Sequence, residues 1–192
     1  MHTNEIKPIK LEIIFGSPRQ NGNTFQIVNI LMDKLSKTNY QVHITSLYNS
    51  TINPCIDCRA CKINNLSCSC VDAMTGIYKS LELADFIIFA SPIYWYGPSA
   101  KTKLCIDRLR PYFLNRKLEN KHAALILTAA EGKKDCGLCL KMFQRVFTTL
   151  GINYLGELSA KAYNIGDIMK DKKIEKKVHS FVQKMNTCFV NF

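Results

Sequence analysis

Apolar residues recur along the chain in short runs separated by amphipathic stretches. The first run, Ile9 to Phe15, is rich in Ile and Leu and ends at Gly16-Ser17-Pro18, which predicts a buried strand running into a turn. Asn23 and Thr24 then offer caps to a helix whose apolar positions are Phe25, Ile27, Val28, Ile30, Leu31 and Leu35. Val42, Ile44 and Leu47 suggest a second strand. After a long stretch without periodicity, Asp72 can cap a helix with Met74, Ile77, Tyr78 and Leu81 on one face. Phe86 to Ala90 predicts a third strand, broken by Ser91-Pro92, with a loop over Ile93 to Pro98 and a helix from about Ser99 to Leu109. Ala123 to Thr128 is a fourth strand. A helix carrying Leu138, Met142, Phe143, Val146, Phe147 and Leu150 follows and stops at Gly151. Ile152 to Leu158 is a fifth strand. The last helix buries Ile174, Val178, Phe181, Val182 and Met185 and turns Lys170, Lys172, Lys173, Lys176, Lys177 and Lys184 to solvent.

Strand and helix thus alternate five times. Apolar strands in that alternation predict an α/β protein, a parallel sheet between two helical layers. For five strands the expected order is 2-1-3-4-5. The chain of 192 residues, 47% of them hydrophobic, matches one domain over 1–192. No apolar run approaches the roughly 20 residues that span a bilayer. The polar start, Met1 to Lys10, does not read as a secretory signal, so a cytoplasmic protein is the default. The net charge of +11 admits nucleic acid, an anionic membrane or phosphorylated small molecules as partners. Its concentration on the last helix favours a solvated face, with neither nucleic acid nor membrane as partner.

In a sheet of this order, ligands sit beyond the carboxyl ends of the strands, between the first and third. The loop after the first strand holds hydroxyls at Ser17 and Thr24, an amide at Asn23, a cation at Arg19 and glycines at 16 and 22. It leads into a helix N-terminus, whose free N–H groups favour an anion. An ordinary strand-to-helix turn would look similar. The loop after the third strand carries Tyr94-Trp95-Tyr96, which cannot all face a core. A flat ligand, a packed loop or an oligomer contact would each account for them. His2, His43, His122 and His179 lie outside both loops, and no nucleophile–base constellation is evident.

Gly16-Ser17-Pro18-Arg19, Gly22-Asn23-Thr24, Ser91-Pro92-Ile93-Tyr94 and Ile106-Asp107-Arg108 together resemble the NADPH-dependent FMN reductase family of flavodoxin-like proteins. The similarity runs from about Lys10 to Leu158. It implies a flavodoxin-like α/β/α sandwich in which Ser17, Arg19, Asn23 and Thr24 hold the FMN phosphate. Pro92, Ile93, Tyr94 and Trp95 would line the isoalloxazine, and Thr128, Ala129 and Glu131 would border its other edge. Ala129-Ala130-Glu131-Gly132 departs from the more glycine-rich stretch of commoner members. The resemblance further implies NAD(P)H as reductant, a small acceptor such as a quinone or flavin, chemistry carried by the flavin, and a homodimer with the aromatic loop near the contact.

Five of nine cysteines fall between Cys55 and Cys70, in the aperiodic segment at about 49–71. Cys55-x2-Cys58-x2-Cys61-x6-Cys68 resembles the compact cysteine motif of iron–sulfur flavoproteins, which would make these four the ligands of a 4Fe-4S cluster and leave Cys70 an extra. Zinc and bare thiols are the other readings. An electron carrier with FMN and a cluster, acting between protein partners, is therefore the alternative to a plain reductase. A flavin-sensing or nucleic-acid-associated module has only the charge behind it. Cys136-x2-Cys139 is either a redox pair beside the flavin or two inert thiols.

Overall fold

The computed structural model of the protein describes residues 7–63 and 67–189; His2 lies outside them. The strands are β1 (Ile9–Phe15), β2 (Tyr40–Ser46), β3 (Phe86–Tyr94), β4 (Gly97–Pro98), β5 (His122–Ala129) and β6 (Asn153–Lys161). The helices are α1 (Asn23–Leu35), α2 (Met74–Leu83), α3 (Ala100–Asp107), α4 (Tyr112–Asn115), α5 (Gly137–Leu150), α6 (Asp167–Lys170) and α7 (Ile174–Thr187). The five long strands lie in the order β2-β1-β3-β5-β6, all parallel. Counted without β4, this is the expected 2-1-3-4-5. The two-residue β4 is the departure: it folds back antiparallel on the end of β3.

Strand side chains alternate between two cores, which is why the strands read as continuous apolar runs. Ile14, Ile87, Phe89, Leu125 and Leu127 face α2, α3 and α5. Leu11, Ile13, Phe15, Phe86, Ile88 and Ile126 face α1 and α7. On α7 the buried positions are Ile174, Val178, Phe181, Val182 and Met185, as the periodicity predicts. Each side chain of that size contributes about 1.5–3 kcal/mol on burial, and this holds a lysine-rich helix to the sheet. Gly151 ends α5 in the left-handed conformation at φ 71°.

Three local expectations need correction. The third strand does not break at Ser91-Pro92; it continues to Tyr94, and Pro92 pairs in register with Thr128. Pairing with β1 ends at Ala90 and pairing with β4 begins at Ile93, so Pro92 falls between those two ladders, where a missing N–H interrupts neither. Ile93 to Pro98 is accordingly a hairpin. Neither Asn23 nor Thr24 caps α1, whose N-cap is Gly22 with no side-chain hydrogen bond. The fifth strand runs on to Lys161, and the short helices α4 and α6 have no counterpart in the sequence reading.

Among its described residues the cysteine segment after Asn49 is irregular apart from a one-turn helix at Ala60–Lys62. One buried ion pair ties its ends together. Arg108, 1% exposed, donates Nη1 to Asp72 Oδ2 at 2.7 Å and to the Asn53 carbonyl at 2.8 Å. Its Nη2 reaches Asp72 Oδ1 at 3.3 Å and the Cys70 carbonyl at 3.2 Å. Burial alone would raise the Asp72 carboxyl, but hydrogen bonds from Arg108 and from the Asn53 and Met74 N–H groups hold it below its ordinary value. Asp72 thereby also satisfies an N–H of the first turn of α2.

Candidate functional site

β1 and β3 are neighbours, but α1 leaves β1 on one face while α3 leaves the β3 hairpin on the other. A crevice opens where such connections diverge. Here it is a cavity of about 640 Å³, within the usual range for cofactor sites. Its walls bring together Ser17, Arg19, Asn23 and Thr24 from the first loop, Pro92, Ile93 and Tyr94 from β3, and Thr128 and Ala129 from β5.

The first loop can turn into this crevice because Gly16 lacks a side chain. A Cβ there would stand 1.8 Å from Thr102 Oγ1. The Gly16 N–H donates to the Ala90 carbonyl at 2.8 Å, and Ser99 Oγ donates to the Gly16 carbonyl at 2.5 Å. Ser17 Oγ accepts from the Arg19 N–H at 3.2 Å. Gly22, Asn23 and Thr24 line the cavity, so the uncapped N-terminus of α1, with no acidic residue in its first turn, faces it. That end carries the positive pole of a 13-residue helix.

Asn23 and Thr24 join distant parts of the chain. Asn23 Nδ2 donates to the Asn164 carbonyl at 2.8 Å, and its Oδ1 accepts from the N–H groups of Gly166 (3.1 Å) and Ile168 (3.3 Å). It thus caps the start of α6. Thr24 Oγ1 and Thr128 Oγ1 share a buried hydrogen bond of 2.7 Å. The segment tied down by Asn23 supplies a further wall, Ala162 to Ile165, which the sequence reading missed. Its only sequence signal was the turn-forming Asn164-Ile165-Gly166-Asp167.

Trp95 and Glu131 do not line the cavity. Trp95 and Tyr96 form the two-residue turn between paired Tyr94 and Gly97, with φ of 48° and 63°. Positive φ at both positions matches a type I′ hairpin turn, where Asn-Gly is usual and other residues are strained. The turn leaves Trp95 95% exposed, one residue beyond the cavity-lining Tyr94. Glu131 instead pairs with Lys161 at 2.9 Å, while its N–H donates to Asp135.

Cys55, Cys58, Cys61 and Cys68 all border one small space of about 20 Å³, together with Asp57 and Arg110. Cys70 is not part of it. Arg110 Nη1 lies 3.7 Å from Cys55 Sγ and 2.6 Å from Asp57 Oδ1. A hydrogen bond with Ser69 Oγ at 3.2 Å pulls the exposed Cys58 thiol below its ordinary pKa, whereas burial pushes Cys61 and Cys70 up. Among the described residues no three Cys, His, Asp or Glu side chains are arranged to hold a metal ion. The donor type suits a cluster or zinc; the enclosed space holds about one water, room enough for a single ion, whereas a cubane cluster would require the loop to open.

Cys136 and Cys139 are buried, and desolvation pushes their thiols up to about 11 and about 12. They therefore lack the activated thiolate of a redox pair. Of the histidines, His43 pairs with the buried Glu12 at 2.7 Å, His122 stacks on Phe86, and His179 is exposed. None lines the cavity.

Residues 9–166 match the family model described as NADPH-dependent FMN reductase. An iron–sulfur flavoprotein of Methanocaldococcus jannaschii is 35% identical over 117 residues, covering 61% of this chain and 60% of the relative. One from Archaeoglobus fulgidus is 29% identical over 123 residues, and the match spans 56% of its length. The chain thus spans less than two thirds of either. YwqN of Bacillus subtilis, named as an NAD(P)H-dependent FMN-containing oxidoreductase, is 30% identical over 171 residues, 85% of this chain and 91% of the relative. In three dimensions the Trp repressor binding protein of Bacillus subtilis superposes with a TM-score of 0.66 at 19% identity, covering 91% and 97% of the two chains. That likeness shows the flavodoxin-like fold. No helix among the described residues is long and apolar enough to cross a membrane. With more than three quarters of its length matched, from the first strand through the turn that closes the cavity, the chain belongs to the NADPH-dependent FMN reductase family.

Proposed function

We propose that the protein binds FMN in the crevice between β1, β3 and β5 and transfers electrons from NAD(P)H to a small acceptor such as a quinone or free flavin. The observation that carries this is the union of an uncapped helix N-terminus with a cavity of about 640 Å³ lined by both switch-point loops. The residues fit the cofactor. Ser17, Arg19 and the first N–H groups of α1 offer donors and positive potential to a phosphate. Pro92, Ile93 and Tyr94 on one side and Ala129 and Ala130 on the other offer surfaces to a flat ring. The Thr24–Thr128 hydrogen bond ties the phosphate end to the ring end. Bound flavin would supply the hydride and electron chemistry; the chain supplies binding and orientation. In this reading FMN binds at least about tenfold more tightly than riboflavin, since the phosphate gains charge-assisted hydrogen bonds. Fluorescence-quenching titrations with both flavins test it, and equal affinities would remove the assignment. The same reading includes a homodimer near the Trp95–Tyr96 tip, which light scattering checks.

The convergence of Cys55, Cys58, Cys61 and Cys68 on one space favours a second reading, an electron carrier holding FMN and a 4Fe-4S cluster. About four irons and four sulfides per chain in protein prepared without oxygen would support it. Protein free of iron and zinc, with all five loop thiols alkylated, would leave the plain reductase.

A further inference from the structure

The lysines of the last helix do not simply face solvent. Lys173, at the N-cap of α7, and Lys176, Lys177 and Lys184 of α7 gather with Lys133, from the turn after β5, around a groove of about 770 Å³ along the edge strand β6. Positions 173, 176, 177, 180 and 184 recur at helical spacing and share one face. The floor is Leu158 and Phe181, and Ser159 and Ser180 add hydroxyls. This groove shares no lining residue with the FMN candidate cavity.

Its charge is poorly neutralised. Glu157 lies 3.5 Å from Lys133, and Asp171 lies 2.9 Å from Lys177. Among the described residues no salt bridge engages Lys173, Lys176 or Lys184. A local distortion of the edge strand accommodates one of these cations. The β5–β6 register slips between Ala123↔Tyr154 and Ala124↔Gly156, and Gly156 takes a φ of 137°. A Cβ at Gly156 would stand 2.9 Å from Lys184 Nζ, so the absent side chain lets that ammonium lie against the strand. Lysines beside an open edge also deter strand pairing, but that role needs no concave wall shared by two elements.

We infer that this groove is a second anion site, taking a small ligand that carries two or more phosphate groups. Ammonium groups converging from both flanks of a strand match a compact polyanion, and the two serines add neutral donors. The inference is independent of the FMN reading, because none of its residues serves that cavity.

The test is an NMR titration of the ¹⁵N-labelled full chain with inorganic pyrophosphate at constant ionic strength. The expected result is saturable shifts of the amides of Glu157–Ser159 and Lys176–Lys184, with half-saturation below about 1 mM. The exposed double variant Lys176→Gln/Lys184→Gln should weaken binding about tenfold. Lys37→Gln/Lys79→Gln, an equal charge change at exposed sites outside the groove, should alter it by less than about twofold. Four outcomes would overturn the inference: shifts that do not saturate, shifts confined to Ser17–Thr24, equal weakening by both double variants, or equally tight binding of an oligoglutamate peptide, which would point to an acidic protein surface.

Discussion

Replacing Arg108 by Met tests whether one buried ion pair closes the cysteine segment. The substitution keeps most of the apolar stem and removes all four hydrogen bonds of the guanidinium, to Asp72 and to the Asn53 and Cys70 carbonyls. Asp72, whose side chain is 5% exposed, is then left buried without its counter-charge. Breaking a buried pair from one side costs about 3–5 kcal/mol. That is a large part of the roughly 5–15 kcal/mol that keeps a domain folded. For a chain of this size it corresponds to a fall in Tm of about 6–20 °C. The pH dependence gives a sharper check. In the native protein the Asp72 carboxyl is held below its ordinary value, so its contribution is present above that value and lost as pH falls through the depressed one. In the variant the lowering by Arg108 is gone while burial still opposes ionisation, so the carboxyl rises relative to the native protein. The deficit should then be largest near neutrality and shrink as the pH falls toward about 4. Urea unfolding followed by far-UV circular dichroism at about pH 7.5 and about pH 4.5 measures it. A loss below about 1 kcal/mol at the higher pH, or the same loss at both, would refute the reasoning.

Gly16→Ala should lower stability by at least about 1–3 kcal/mol, since its Cβ would meet Thr102 Oγ1 at 1.8 Å; a thermal melt within 1 °C of the parent would count against the close approach. Burial raises the Glu12 carboxyl above its ordinary 4.5, against hydrogen bonds from Thr45 and His43 that lower it. Glu12 therefore favours folding most below that value and loses its contribution as pH rises through the raised one, so Glu12→Gln should flatten the stability–pH curve above about pH 4.5, as denaturant midpoints across the range will report. In native protein iodoacetamide should modify Cys58 fastest and leave Cys136 and Cys139 untouched; peptide mass spectra showing early labelling of the latter pair would contradict their burial.

The sheet was legible because its strands are buried on both faces and read as apolar runs between turn residues. Legibility failed where tertiary partners override local signals. Pro92 looks like a strand terminator, but it falls between the β1 and β4 ladders of β3, where a Pro is tolerated. Asn23 looks like a cap for the helix it begins, yet it caps one that starts more than 140 residues later. Ile106-Asp107-Arg108 was visible as a motif, but that Arg108 would close the cysteine segment depends on which residues α3 packs against. The lysines of α7 were legible as the polar face of a helix; their meeting with Lys133 was not, because that needs the edge of the sheet. Both loops of the crevice were found from the topology alone. Its remaining wall, Ala162 to Ile165, has little beyond a turn signature to mark it.

The Asn23 and Thr24 hydrogen bonds span 141 and 104 residues of sequence, to Asn164 and Thr128. Closing loops of that length is slow compared with forming a helix or a neighbouring strand pair, so these contacts belong to the last stages of folding. During synthesis α1 leaves the ribosome long before its partners, and the crevice has no second rim until the segment around Asn164 emerges. A cofactor that needs both rims meets a nearly finished chain. Fragments truncated before that segment should keep much of the sheet while lacking a complete crevice, and binding in the crevice stabilises the contacts that form last.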